Sequence, residues 1–217
     1  MKIKVCGLRD PGNIEAVVAL GVDYVGFIFY GKSARYVGDT ELAAWLQANA
    51  ASFADVKKVG VFVNAEVDYI LNTVHDYQLD FVQLHGDESP VYCRELKLLW
   101  SVSTLRRAGL VKAFRVTPDF DFAATSAYAD SCDFFVFDTG GRADYGGTGA
   151  KWDWTKLTDY RGDTPFLLSG GIGLEDAAAV AALDHPQLLG VDVNSGFEDA
   201  PAQKDVAALA RFVNEVR

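Results

Sequence analysis

The chain has 217 residues, half of them hydrophobic, and a formal net charge of −10. That length suits one substantial core and the apolar content excludes disorder, so a single α/β domain over 1–217 is expected. The acidic balance disfavours a nucleic-acid partner, because phosphate backbones select basic surfaces, and no run approaches the ~20 apolar residues needed to cross a membrane.

Met1-Lys2-Ile3-Lys4 runs straight into a strand-like segment and lacks the apolar stretch and cleavage site of a signal peptide. Cys6, Cys93 and Cys132 are odd in number and widely spaced. They argue against a disulfide framework and against a CxxC metal site, so a reducing, cytoplasmic setting is expected.

Short apolar runs then alternate with helical spacing along the chain. The runs are Ile3 to Cys6, Tyr24 to Phe29, Val59 to Val63, Phe81 to Leu84, Val111 to Val116, Phe134 to Asp138, Phe166 to Ser169 and Leu189 to Val193. Helical patterns between them include Asn13 to Leu20, Thr40 to Ala50, Glu66 to Tyr77 and Gln203 to Val216. The segment Asp119 to Ala129 is the poorest helix, short and broken by aromatics. Continuously apolar strands suit a parallel sheet covered on both faces. Eight units of about 27 residues point to a (β/α)8 TIM barrel. An open doubly wound sheet is the alternative, but Cys6-Gly7-Leu8-Arg9-Asp10 after the first strand offers no GxGxxG fingerprint.

In such a barrel the chemistry comes from strand C-termini and the loops after them. Cys6 precedes a glycine at one tip, where a thiolate could act as base or nucleophile; a packed small apolar residue is the plain alternative, to which Cys93 and Cys132 are assigned. Asp138 follows four apolar residues, so partial burial and a raised pKa, as a general acid needs, are expected. Arg35 lies in the loop after strand two and suits bidentate binding of a carboxylate. Asn64 and Arg115 read as ordinary strand ends at solvent. Ser169-Gly170-Gly171-Ile172 and Asn194-Ser195-Gly196 end strands seven and eight, the recurrent phosphate site of this fold. There glycine lets backbone N–H groups approach an anion closely. Gly140 to Gly149 is long and glycine-rich for a βα loop, and reads as a lid.

In this order and spacing, the motifs resemble the phosphoribosylanthranilate isomerase family over essentially the whole chain. They are Lys4-Val5-Cys6-Gly7, Gly26-Phe27-Ile28-Phe29 with Ser33 and Arg35, Val59 to Asn64, and Val82-Gln83-Leu84-His85-Gly86. They continue with Asp138 followed by Gly146-Gly147-Thr148-Gly149, Asp153-Trp154, Ser169 to Ile172, and Asp192 to Glu198. The resemblance implies an Amadori rearrangement of a phosphorylated small molecule, with no cofactor or metal and with Asp138 as general acid and Cys6 as general base. It also implies Arg35 on the anthranilate carboxylate. Gln83, His85, Gly147, Gly149, Gly170, Gly171, Asp192, Asn194 and Ser195 become substrate-binding candidates. A monomer or a homodimer is compatible with it. Ala34 stands where the family usually has proline, and Asn194 where serine is frequent. Among rivals, indole-3-glycerol-phosphate synthase needs a catalytic lysine on an early strand. A sugar-phosphate epimerase needs two acidic bases, often with metal-binding histidines, and of the three histidines only His85 falls near the active face. A catalytically silent phosphate-binding module is the reading outside enzymes.

Overall fold

The computed structural model describes residues 1–38, 40–102, 108–140 and 151–217. Eight parallel strands close into a barrel in chain order. They are β1 (Lys2–Val5), β2 (Tyr24–Ile28), β3 (Lys57–Phe62), β4 (Phe81–Leu84), β5 (Gly109–Val116), β6 (Phe134–Thr139), β7 (Phe166–Ser169) and β8 (Leu188–Val193). β8 pairs with β1 and completes the circle, with Lys4 opposite Asp192. Helices α1 (Pro11–Val18), α2 (Thr40–Ala48), α3 (Val67–Asp76), α4 (Pro90–Val102), α5 (Ala177–Ala181) and α6 (Val206–Val216) cover the outside. A two-stranded ribbon, β9 (Glu198–Ala200) and β10 (Gln203–Lys204), precedes α6.

Two expected helices take another form. Phe122–Tyr128 after β5 and Trp154–Asp159 after β6 are 3₁₀ turns. Each begins on an aspartate, Asp121 or Asp153, whose side chain accepts a backbone N–H two residues on. Phe122 lies 5.0 Å, centroid to centroid, from the Phe137 ring on the barrel wall. The segment thus gets its stability from aromatic packing rather than from helical periodicity. The residues expected to open the last helix instead form β10, and α6 starts at Val206 behind the capping side chain of Asp205.

Alternation along the strands divides the core. Ile3 and Val5 face the helices, and with α1, α3, α4 and α6 they build the larger apolar shell. Val111, Ala113, Phe134, Val136 and Leu167 face inward and form a second cluster with Tyr24, Phe81 and Leu189. The rings of Tyr24, Phe81 and Phe134 lie within 5.9 Å of one another and fill the N-terminal half of the barrel. The same alternation turns Lys4, Cys6, Asp138, Ser169 and Asp192 inward, toward the C-terminal half.

Candidate active site

β1 delivers Cys6 one residue past its last paired position, and β6 delivers Asp138 in its last turn of pleat. Cys6 is buried. Its sulfur has room because Gly26 on β2 carries no side chain: a Cβ there would sit 2.7 Å from Sγ. Burial pushes the Cys6 thiol up, while the neighbouring Lys4 and Lys204 ammonium groups oppose that rise. The resting group is therefore the thiol.

Asp138 departs from expectation. Its carboxyl is pulled below the usual range rather than raised. Burial works upward, but hydrogen bonds outweigh it: His85 Nε2 lies 3.2 Å from Oδ2, the Thr139 N–H donates to Oδ1 at 2.8 Å, and the Ser169 side chain adds a third. The sequence reading missed this because it counted the apolar residues before Asp138 and not the donors beside it. An ionised Asp138 only accepts, so the facing His85 nitrogen carries the proton. His85 Nδ1 then accepts from Gln83 Nε2 at 2.9 Å. Gln83 and His85 thus stand in one chain ending on Asp138, and Gln83 Oε1 is buried with no partner among the described residues.

Arg35 is held at the barrel rim. Ser33 Oγ accepts the Arg35 N–H at 3.1 Å, the Ser33 carbonyl accepts the Tyr36 N–H at 3.1 Å, and the Val37 N–H donates to the Ile28 carbonyl at 2.8 Å, so the loop is tied down despite Ala34. The guanidinium donates through Nε to both oxygens of Glu198, at 2.9 and 3.0 Å, and through Nη2 at 2.6 Å. Glu198 also takes Lys204 Nζ at 2.6 Å, and both cations hold its carboxyl low against burial. Lys204 bonds in turn to Asn194 Oδ1 at 2.7 Å. The Asn194 carbonyl is thus committed inside the protein, and Gly7 is required above it, because a Cβ at Gly7 would lie 2.6 Å from that oxygen.

The loops after β7 and β8 touch. Gly170 and Gly171 have positive φ of 101° and 65°. A Cβ on Gly196 would strike the Ile172 carbonyl. Ser195 begins a short 3₁₀ turn, Ser195–Phe197, whose first N–H groups find no acceptor within the turn. Asp192 lies deeper: Oδ2 bonds Lys4 Nζ at 2.7 Å, and Oδ1 is buried without a partner among the described residues. Gly147 and Gly149, and the lid reading of their loop, lie outside the described residues. Arg115 pairs with Asp87 at 2.6 Å and Asn64 Oδ1 accepts the Asp87 N–H, the structural roles expected of strand ends. Sequence reasoning overlooked Lys4, Glu198 and Lys204 as site residues. Lys4 had a signal, a lysine two residues before Cys6 on the same strand face.

Gly170→Ala should be severe for its size. The residue sits at φ 101°, where an added Cβ would be 2.7 Å from the Thr139 nitrogen and 3.1 Å from Asp138 Oδ1. We expect a loss of about 1–3 kcal/mol in unfolding free energy, read by denaturant melts, together with a fall in kcat.

A closed (β/α)8 barrel that gathers a thiol, a carboxylate, an arginine and two glycine-bearing loops at one mouth has the layout of an enzyme acting on a small molecule. Residues 3–215 match the family described as N-(5'-phosphoribosyl)anthranilate (PRA) isomerase, and the chain belongs to that family. It is 44% identical over 216 residues to an N-(5'-phosphoribosyl)anthranilate isomerase of Parabacteroides distasonis, covering 100% of this chain and 93% of that one. A structure of monomers made from the dimeric phosphoribosylanthranilate isomerase of Thermotoga maritima superposes with a TM-score of 0.79 at 31% identity, covering 100% of this chain and 98% of that one. A phosphoribosylanthranilate isomerase in complex with reduced 1-(o-carboxyphenylamino)-1-deoxyribulose 5-phosphate gives a TM-score of 0.80 at 31% identity, with the same coverage. Among the described residues no helix is long and apolar enough to cross a membrane.

Proposed function

We propose that residues 1–217 form one catalytic unit for the Amadori rearrangement of N-(5-phosphoribosyl)anthranilate to 1-(2-carboxyphenylamino)-1-deoxyribulose 5-phosphate, a step of tryptophan biosynthesis. The observation that carries this is the pairing of Cys6 and Asp138 at one barrel mouth in a chain of that family. Asp138 gives a proton to the ring oxygen, and the furanose opens to a Schiff base. Cys6 removes the C2 proton, and the enolamine tautomerises to the ketone. Asp138 rests as a carboxylate, so its proton is loaded on binding. Substrate expels water and brings carboxylate and phosphate charge, and both effects raise a buried carboxyl. His85 Nε2, 3.2 Å from Oδ2, holds the carboxyl in place while that proton is used.

The phosphate sits against the backbone of the Gly170-Gly171 and Ser195-Gly196 segments, whose N–H groups supply the positive potential that an acidic protein lacks globally. Arg35 spends Nε and Nη2 on Glu198, and Nη1, with no partner among the described residues, takes the anthranilate carboxylate. For Arg35→Met we expect KM to rise roughly 10- to 100-fold, the value of one or two charged hydrogen bonds, with a smaller change in kcat. An unchanged KM would remove Arg35 from the binding site.

The three cysteines are unpaired and buried, which supports work in a reducing compartment such as the cytoplasm. The test of the reaction is identification of the product. Purified protein given phosphoribosylanthranilate should yield a species with the C2 ketone carbon in its NMR spectrum. A folded sample that leaves the substrate to hydrolyse unaided would refute the assignment.

A further inference from the structure

The proposed mechanism leaves a deficit: Cys6 must act as a thiolate, yet burial favours the thiol. Directly beneath it on β1 lies Lys4, 0% exposed, a position unfavourable for an ammonium unless something compensates it. Two groups do. Asp192 Oδ2 is 2.7 Å from Nζ, and Cys6, two residues on along the same inward face, is the second group whose charge would act on that nitrogen. Asp192 itself is half satisfied, with Oδ1 buried and unpartnered. The surrounding charges are Lys204 and Arg35 on Glu198, and Asp138 with His85 across the barrel. On the thiol's side of the barrel the Lys4 and Lys204 ammonium groups favour the thiolate, while Asp192 opposes it.

We propose that the buried Lys4–Asp192 pair is a positioning device for the base, in which the Lys4 ammonium holds the Cys6 thiolate and Asp192 limits how strongly it does so. Ionisation moves one proton from Sγ to solvent or to a neighbouring acceptor, and no bond to carbon is involved. Lys4 acts through Cys6 rather than on the substrate, and the inference rests on Cys6 acting as that base.

The two members of the pair act with opposite sign, which separates this role from a structural one. Thiolate formation is followed in substrate-free protein by far-ultraviolet absorbance, as a difference against the Cys6→Ser variant carrying the same second substitution. Lys4→Met should move the Cys6 titration upward by about one pH unit or more. Asp192→Asn should move it downward, because it frees the ammonium for the thiolate. The limb of kcat/KM that reports Cys6 should move with each titration wherever turnover remains measurable. Titrations that do not move, or that move in the same direction in both variants, would overturn the proposal. If Lys4→Met does not fold, Asp192→Asn decides alone: a downward shift supports the pair and any other result rejects it. Because the readout needs no turnover, failure here leaves the isomerase assignment standing, whereas full activity in Cys6→Ser would remove the base on which the inference rests.

Discussion

Asp138→Asn should lower kcat by roughly 10²- to 10⁴-fold, the range that a positioned general acid contributes, while affinity for the reduced product analogue stays within a few-fold. The substitution keeps shape and removes the transferable proton. The Thr139 N–H that now donates to Oδ1 at 2.8 Å can donate to the amide oxygen instead. The other contact needs rearrangement, since His85 Nε2–H would face an amide N–H. Gln83 allows it. Its Oε1 is buried and unpartnered, so turning that amide lets Oε1 accept from Nδ1–H and frees Nε2 to accept from the new amide. The fold should therefore survive, and the loss would be chemical. Near wild-type turnover in a folded variant would end the acid assignment, and failure to bind the analogue would show that Asp138 holds the site together instead.

The second large effect is Cys6→Ser. The hydroxyl fits where Gly26 makes space for sulfur. Its proton is far harder to remove than a thiol's, so the base is lost without a steric insult. Turnover should fall by roughly 10²- to 10⁴-fold with little change in KM, since Cys6 meets the C2 proton only as it leaves. A variant whose KM rises while kcat holds would make Cys6 a binding residue.

Much of the barrel was legible because each strand is a short, mostly apolar run. Phe81–Leu84 and Phe166–Ser169 have the boundaries read from sequence, and the other strands shift by a few residues. The tips Cys6 and Asp138 followed from the same pattern. The segments after β5 and β6 were harder to place because aromatic packing and aspartate caps shape them, and neither leaves a helical period. In the site, the failures were relational. The low pKa of Asp138 comes from His85 on another strand, and the clamp on Arg35 comes from Glu198, far along the chain. Lys204 reaches Asn194 only because the β9–β10 ribbon folds back under β8. Charge partners set by closure of a barrel are invisible to local spacing, whereas Lys4 could have been found by counting two residues back from Cys6.

The most direct measurement is steady-state turnover of freshly generated phosphoribosylanthranilate by wild type, Cys6→Ser and Asp138→Asn side by side, each checked for folding and for binding of the reduced product analogue. The account requires robust turnover by the wild type alone and binding by all three. Wild-type protein that binds the analogue without turning substrate over, or either variant working at the wild-type rate, would contradict it.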